Sequence, residues 1–151
     1  MSRPFRFGLE RVREIRAHDE DQAKERFAAS LNARMRGEAA LRAAEQHLRE
    51  AQTGVTAPVL GPLSGATLVA RQAWVERLEQ SRADAQLRMA NYEADLQSKR
   101  GELTQASQKR EVLDQLKTKQ REAHKAEAER VEAAALDEMA LQMYSRRSAA
   151  A

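Results

Sequence analysis

One stretch limits what this chain can fold into more than any other: AQTGVTAPVLGPLSGATL, residues 51–68. It holds three of the six glycines (Gly54, Gly61, Gly65) and two of the three prolines (Pro58, Pro62). Proline removes a helical hydrogen-bond donor and glycine costs about 1 kcal/mol in a helix interior relative to alanine. Outside this stretch only Pro4, Gly8, Gly37 and Gly101 occur, so two long segments are left free to be helical. Aromatics are 4% of the 151 residues and charged residues 32%, with Ala, Glu, Gln, Arg, Leu and Lys dominating. That composition suits long helices or a coiled coil rather than a compact core.

The break then serves as a linker, a functional loop or a hairpin turn, and the flanking patterns choose among these. In the first segment, apolar residues recur at Leu9, Val12, Ala23, Phe27, Leu31, Met35, Leu41, Ala44, Leu48 and Ala51. Most steps are three or four residues, which marks one helix face, interrupted by HDEDQ at 18–22. In the second segment a heptad frame fits, with Val75, Leu78, Arg82, Ala85, Met89, Tyr92, Leu96, Lys99, Leu103, Ala106, Arg110 and Leu113 at the inward positions. Nine of these twelve are apolar, as a coiled-coil seam requires. The next eight are Lys117, Gln120, His124, Glu127, Val131, Ala134, Glu138 and Leu141, of which only three are apolar.

Helices over about 5–52 and 67–145 span roughly 70 Å and 115 Å. Folded back at a tip loop of residues 53–66, residue i faces about residue 119 minus i. Phe27 then meets Tyr92, Leu41 meets Leu78, and Leu9 lies near Arg110. Beyond about residue 115 the first helix offers no partner, and there the seam decays. Two helices in one line would give no reason for that decay. The expected fold is therefore all-α: a long antiparallel two-helix coiled-coil hairpin, one domain over 1–151, with an overhanging C-terminal helix. Gly54 and Gly65 are expected to make the turns out of and into the helices.

Several function classes are excluded at this stage. With no cysteine, disulfides and thiolate metal sites are ruled out. His18, His47 and His124 have no second ligand at helical spacing beyond nearby carboxylates, and no phosphate-cradling loop or nucleophile triad is present. We expect neither catalysis, cofactor nor metal. The basic stretch 98–121 carries no interleaved aromatics for base stacking and is spread around the helix, so nucleic acid is not the expected partner. No apolar run reaches the roughly 20 residues that span a bilayer, and the N-terminus lacks the pattern of a secretory signal, so the expected location is the cytoplasm. Two roles fit Trp74, the only tryptophan: a cover over the seam edge beside the turn, or a partly exposed anchor for a partner.

The N-terminal FRFGLERVREIRAHDEDQAKERFAASL resembles the opening of the flagellar export protein FliJ family. The likeness lies in Phe5-Arg6-Phe7, Leu9-Glu10-Arg11-Val12 and Arg16, and in the C-terminal LDEMALQMYSRR, 136–147. The resemblance covers essentially the whole chain. It implies a non-enzymatic, stalk-like component of the type III export apparatus for bacterial flagellum biogenesis and motility, monomeric in isolation. The implied partners are the hexameric export ATPase FliI, the cytoplasmic domain of the export gate protein FlhA, and export chaperones that it helps to recycle. It further implies a peripheral position at the cytoplasmic face of the inner membrane. For gate binding the resemblance points to Trp74 and Leu78 within AWVERLEQS, and less directly to Leu41 and Leu48. Plain seam packing is the competing role for these leucines. Where the family often has aromatics near the end of helix 1, this sequence has Ala44, His47 and Ala51. For ATPase binding, charge and exposure at the termini single out Phe5, Phe7, Arg13, Arg16, Arg121, Arg130 and Arg146. The alternative function is a generic cytoplasmic coiled-coil scaffold, dimeric through its second helix and unrelated to secretion. A prefoldin-type holdase would need β-hairpins for which the Gly/Pro-rich break is too short.

Overall fold

The computed structural model describes residues 3–56 and 61–150. It is an all-α hairpin of two long helices, α1 (Glu10–Thr56) and α2 (Gly65–Ala149). Pro58 lies outside the described residues, and with it part of the expected tip loop.

The helix ends differ from expectation for local reasons. α1 starts at Glu10 rather than near residue 5, because Pro4 and Gly8 precede it and a turn at Gly8–Leu9 sets its first turn. The Glu10 and Arg13 amides donate to the Phe7 and Leu9 carbonyls at 3.2 and 2.9 Å. At its other end, α1 runs through Gly54, so that glycine makes no exit turn. The left-handed backbone falls on Gly61 instead, at φ 118°. Glycine adopts that conformation without the Cβ penalty. α2 opens at Gly65 behind an N-cap: Ser64 Oγ accepts the Thr67 amide at 3.2 Å, and the Ser64 carbonyl accepts the Thr67 and Leu68 amides. Serine is favoured there because its oxygen satisfies an amide that has no partner inside the helix.

Packing divides the chain into two compact units. Unit 1 comprises residues up to Glu20 and from Ala106 onward; unit 2 comprises Asp21–Gln105. In unit 1 the helices run antiparallel, since Glu10 reaches Lys117, Arg13 reaches Asp114 and Glu20 reaches Arg110. Unit 2 is antiparallel as well, with Arg26 against Glu102, Ser30 against Asp95 and Arg34 against Glu93.

The register differs from the expected one by about a heptad. In the pairs Glu10–Lys117, Arg13–Asp114 and Arg34–Glu93 the residue numbers total 127, not 119. Tyr92 lies against Gly37 rather than Phe27, and Arg110 against Glu20 rather than Leu9. Leu78 shares a hollow with His47 and Ala51 rather than with Leu41. α2 begins at Gly65, but residues 61–70 are all exposed and Arg71 is its first half-buried residue. The helices therefore meet off-centre from the break.

The α2 seam follows the heptad frame: of the twelve positions from Val75 to Leu113, all but Arg82 are buried or half-buried. α1 departs from its apolar stripe. Leu9, Val12, Leu31 and Met35 are exposed, while Glu20 and Ser30 are buried. The buried apolar set is small: Phe7, Ala23, Leu48, Ala85 and Leu96. A two-helix layer has one line of contact, so few side chains leave water completely.

Candidate partner-binding surfaces

In unit 1, charged groups share the seam with Phe7, Ala106 and Leu113. Glu10 accepts from Lys117 Nζ at 2.8 Å and from Arg13 Nη1 at 2.9 Å. Arg13 Nε donates to Asp114 Oδ1 at 2.6 Å. Arg110 closes the series by pairing with both Asp114 and Glu20. Lys117, Glu10, Arg13, Asp114, Arg110 and Glu20 thus form a ladder of alternating sign with no net charge. Its hydrogen bonds shift the carboxyls. The one from Lys117 lowers Glu10 below its ordinary range, and the one from Arg13 does the same for Asp114. The partners move upward in turn, Arg13 through Asp114 and Arg110 through Glu20.

Ahead of α1, residues 3–9 form a non-helical arm that packs on α2. Phe7 is buried. The Phe5 ring meets His124 with centroids 5.7 Å apart and planes tilted by 59°, and the Arg121 guanidinium lies 5.9 Å from the Phe5 centroid. The arm extends cover on α2 past residue 115, since His124 and Ala128 are still half-buried. Every residue from 129 to 150 is exposed, including Val131, Leu136, Met139, Leu141, Met143 and Tyr144.

The residues singled out for ATPase binding thus fall into three settings. Phe5 and Arg121 come together in one cation–π contact, while Phe7, two residues along the arm from Phe5, is buried. Arg13 is held in the charge ladder and Arg16 pairs with Asp19 at 3.5 Å. Arg130 is exposed and forks onto Glu127, while Arg146 is exposed near the end of α2. His124 and the ladder were not anticipated as site features. Arg110 and Lys117 at inward heptad positions were the visible signal.

In unit 2 the gate-binding candidates lie beside the turn. Trp74 is 51% exposed and is stacked by Arg77, whose guanidinium carbon sits 5.2 Å from the ring centroid. It shares a shallow hollow with Leu78, His47, Glu50 and Ala51. Leu48 is buried and Leu41 half-buried, both in the seam. One feature here was missed in the sequence: Gly37 lies under Tyr92, where a Cβ would come within 2.5 Å of the ring.

Among the described residues no cluster of three His, Cys, Asp or Glu could hold a metal ion, and no helix is long and apolar enough to cross a membrane.

A protein-family model described as FliJ, flagellar FliJ protein, matches residues 5–149. No curated protein and no solved structure matches the chain. Because that match takes in both helices, the N-terminal arm and the exposed end of α2, the chain belongs to the flagellar FliJ family, whose members are components of the flagellar export apparatus.

Proposed function

We propose that this protein is a non-enzymatic stalk of the type III export apparatus. It joins the hexameric ATPase FliI to the cytoplasmic domain of the gate protein FlhA and helps to recycle export chaperones. It works at the cytoplasmic face of the inner membrane without crossing it. The observation that carries the reading is the last part of α2: residues 129–150 are exposed throughout, although Val131, Leu136, Met139, Leu141, Met143 and Tyr144 are large and apolar. A helix that leaves this many large apolar side chains in water carries surface for a partner to cover. This exposed end, with Arg130 and Arg146 among its cations and the Phe5–Arg121 contact before it, is assigned to the ATPase ring. Arg13 and Arg16 contribute through their ion pairs and Phe7 by anchoring the arm. Trp74 and Leu78 are assigned to the gate, with Leu41 and Leu48 holding the helices beneath.

ATP turnover by FliI, measured with and without the full chain, tests the first assignment. Stimulation is expected, and its loss on truncation after Ala128. If the full-length chain leaves turnover unchanged, the stalk reading is wrong. For the gate, Trp74→Ala is expected to weaken FlhA binding about thirtyfold, the cost of a hot-spot tryptophan at about 2 kcal/mol, and to leave ATPase stimulation intact.

A further inference from the structure

Two heptads along α2 from Trp74, and so on the same flank, Arg88 borders a second hollow of about 230 Å³. Arg36 borders it from α1, and Gly37, Ala40, Ala85 and Tyr92 complete its lining. We propose that this hollow receives a glutamate side chain from a partner protein, gripped between Arg36 and Arg88. The inference rests on reading this flank of unit 2 as a protein-docking surface.

Three observations support it. First, the two arginines are left over. Nearby Arg34 pairs with Glu93 and Glu38, and Arg42 with Glu38. Arg36 and Arg88 have no ion pair or hydrogen bond among the described residues. Two like charges bordering one hollow repel until an anion lies between them, and a guanidinium fork matches a carboxylate through paired hydrogen bonds. Second, the lining between them has been pared of bulk. Ala40 and Ala85 carry only a methyl, and the Tyr92 ring seated on Gly37 forms the wall beside them, so the hollow stays open between the two arginines. Third, the lining combines hydrocarbon with charge, Ala40, Ala85 and Tyr92 beside Arg36 and Arg88. The methylenes of a glutamate would lie on alanine and on the Tyr92 ring while its carboxylate stays with the arginines. A phosphate has no such stem to place there, and Asp84 and Glu38 on the adjoining surface disfavour a polyanion.

The test uses the full chain with ¹⁵N-labelled arginine and backbone. The probe is a short capped helical peptide with leucine and alanine on one face and a single glutamate among them. Its glutamine counterpart and a DNA oligonucleotide are titrated in parallel. The glutamate peptide is expected to shift the Arg36 and Arg88 Nε–H signals and the Gly37 amide, with about tenfold tighter binding than the glutamine peptide, as one charge-assisted contact gives. The double variant R36Q/R88Q removes that preference, while R36K/R88K keeps part of it because charge persists without the fork. Circular dichroism confirms that the variants stay helical. Equal binding of both peptides, no binding, stronger perturbation by DNA, or shifts centred on other arginines would each overturn the proposal. Gate binding reports separately. If Trp74→Ala abolishes it and R36Q/R88Q does not change it, the docking flank stands and the glutamate grip does not.

Discussion

Gly37 is a helix-interior glycine whose missing methyl group sets a local fit. A Cβ there would lie 2.5 Å from Tyr92 Cδ2 and 2.6 Å from Cε2, closer than carbon atoms pack. Gly37→Ala gains about 1 kcal/mol of helix propensity and loses more by displacing the ring. The single variant should therefore melt earlier. In a Tyr92→Ala background the same change should raise the melting temperature, because only the propensity gain remains. Thermal unfolding by circular dichroism reads both, and the sign reversal is the diagnostic. Leu48 makes a simpler prediction. It is 6% exposed in a thin seam that collapses easily, so Leu48→Ala should cost about 2 kcal/mol in denaturant unfolding, near the low end for buried leucine. Neither Tyr92's neighbour nor the unpaired Arg36 and Arg88 was legible in the sequence, since both depend on a register that no local pattern encodes.

The two helices differ in how far their sequences disclose them. α2 carries its seam as an apolar heptad, and that frame is what the structure turns inward from Val75 to Leu113, Arg82 excepted. α1 carries part of its seam as Arg13, Glu20, Ser30 and Arg34, which hydrophobic periodicity cannot find. They become seam residues only because α2 supplies Asp114, Arg110, Asp95 and Glu93 opposite them. The register escaped for a related reason: the break locates a turn, while the exposed first turns of α2 decide where pairing begins. A pH dependence follows for unit 1. Glu10 and Asp114 have folded-state pKa values below their unfolded ones. Their contribution is complete above the ordinary carboxylate range and is lost as pH falls through the lowered values. Amide exchange in residues 10–20 and 106–117 should stay slow from neutral pH down to that range, after correction for intrinsic rates, and quicken below it. Glu10→Gln with Asp114→Asn should remove the acid limb. Added salt should weaken the ladder too, since all its members but the buried Glu20 are 23–38% exposed.

For the whole molecule, the intramolecular hairpin predicts a mass near 17.0 kDa in sedimentation equilibrium, without self-association at micromolar concentration. A stable parallel dimer with Val75 and Met89 meeting their copies would contradict both the hairpin and the stalk. The charge ladder in unit 1 has a consequence for handling and for life in the cell. Separating helices joined by leucines exposes oily surface that sticks to whatever is near. Parting Arg13 from Asp114 or Lys117 from Glu10 exposes groups that water solvates readily, and they find one another again without sorting through misfolded contacts. Ion pairs closed this way can open and close again with little apolar surface of their own to expose.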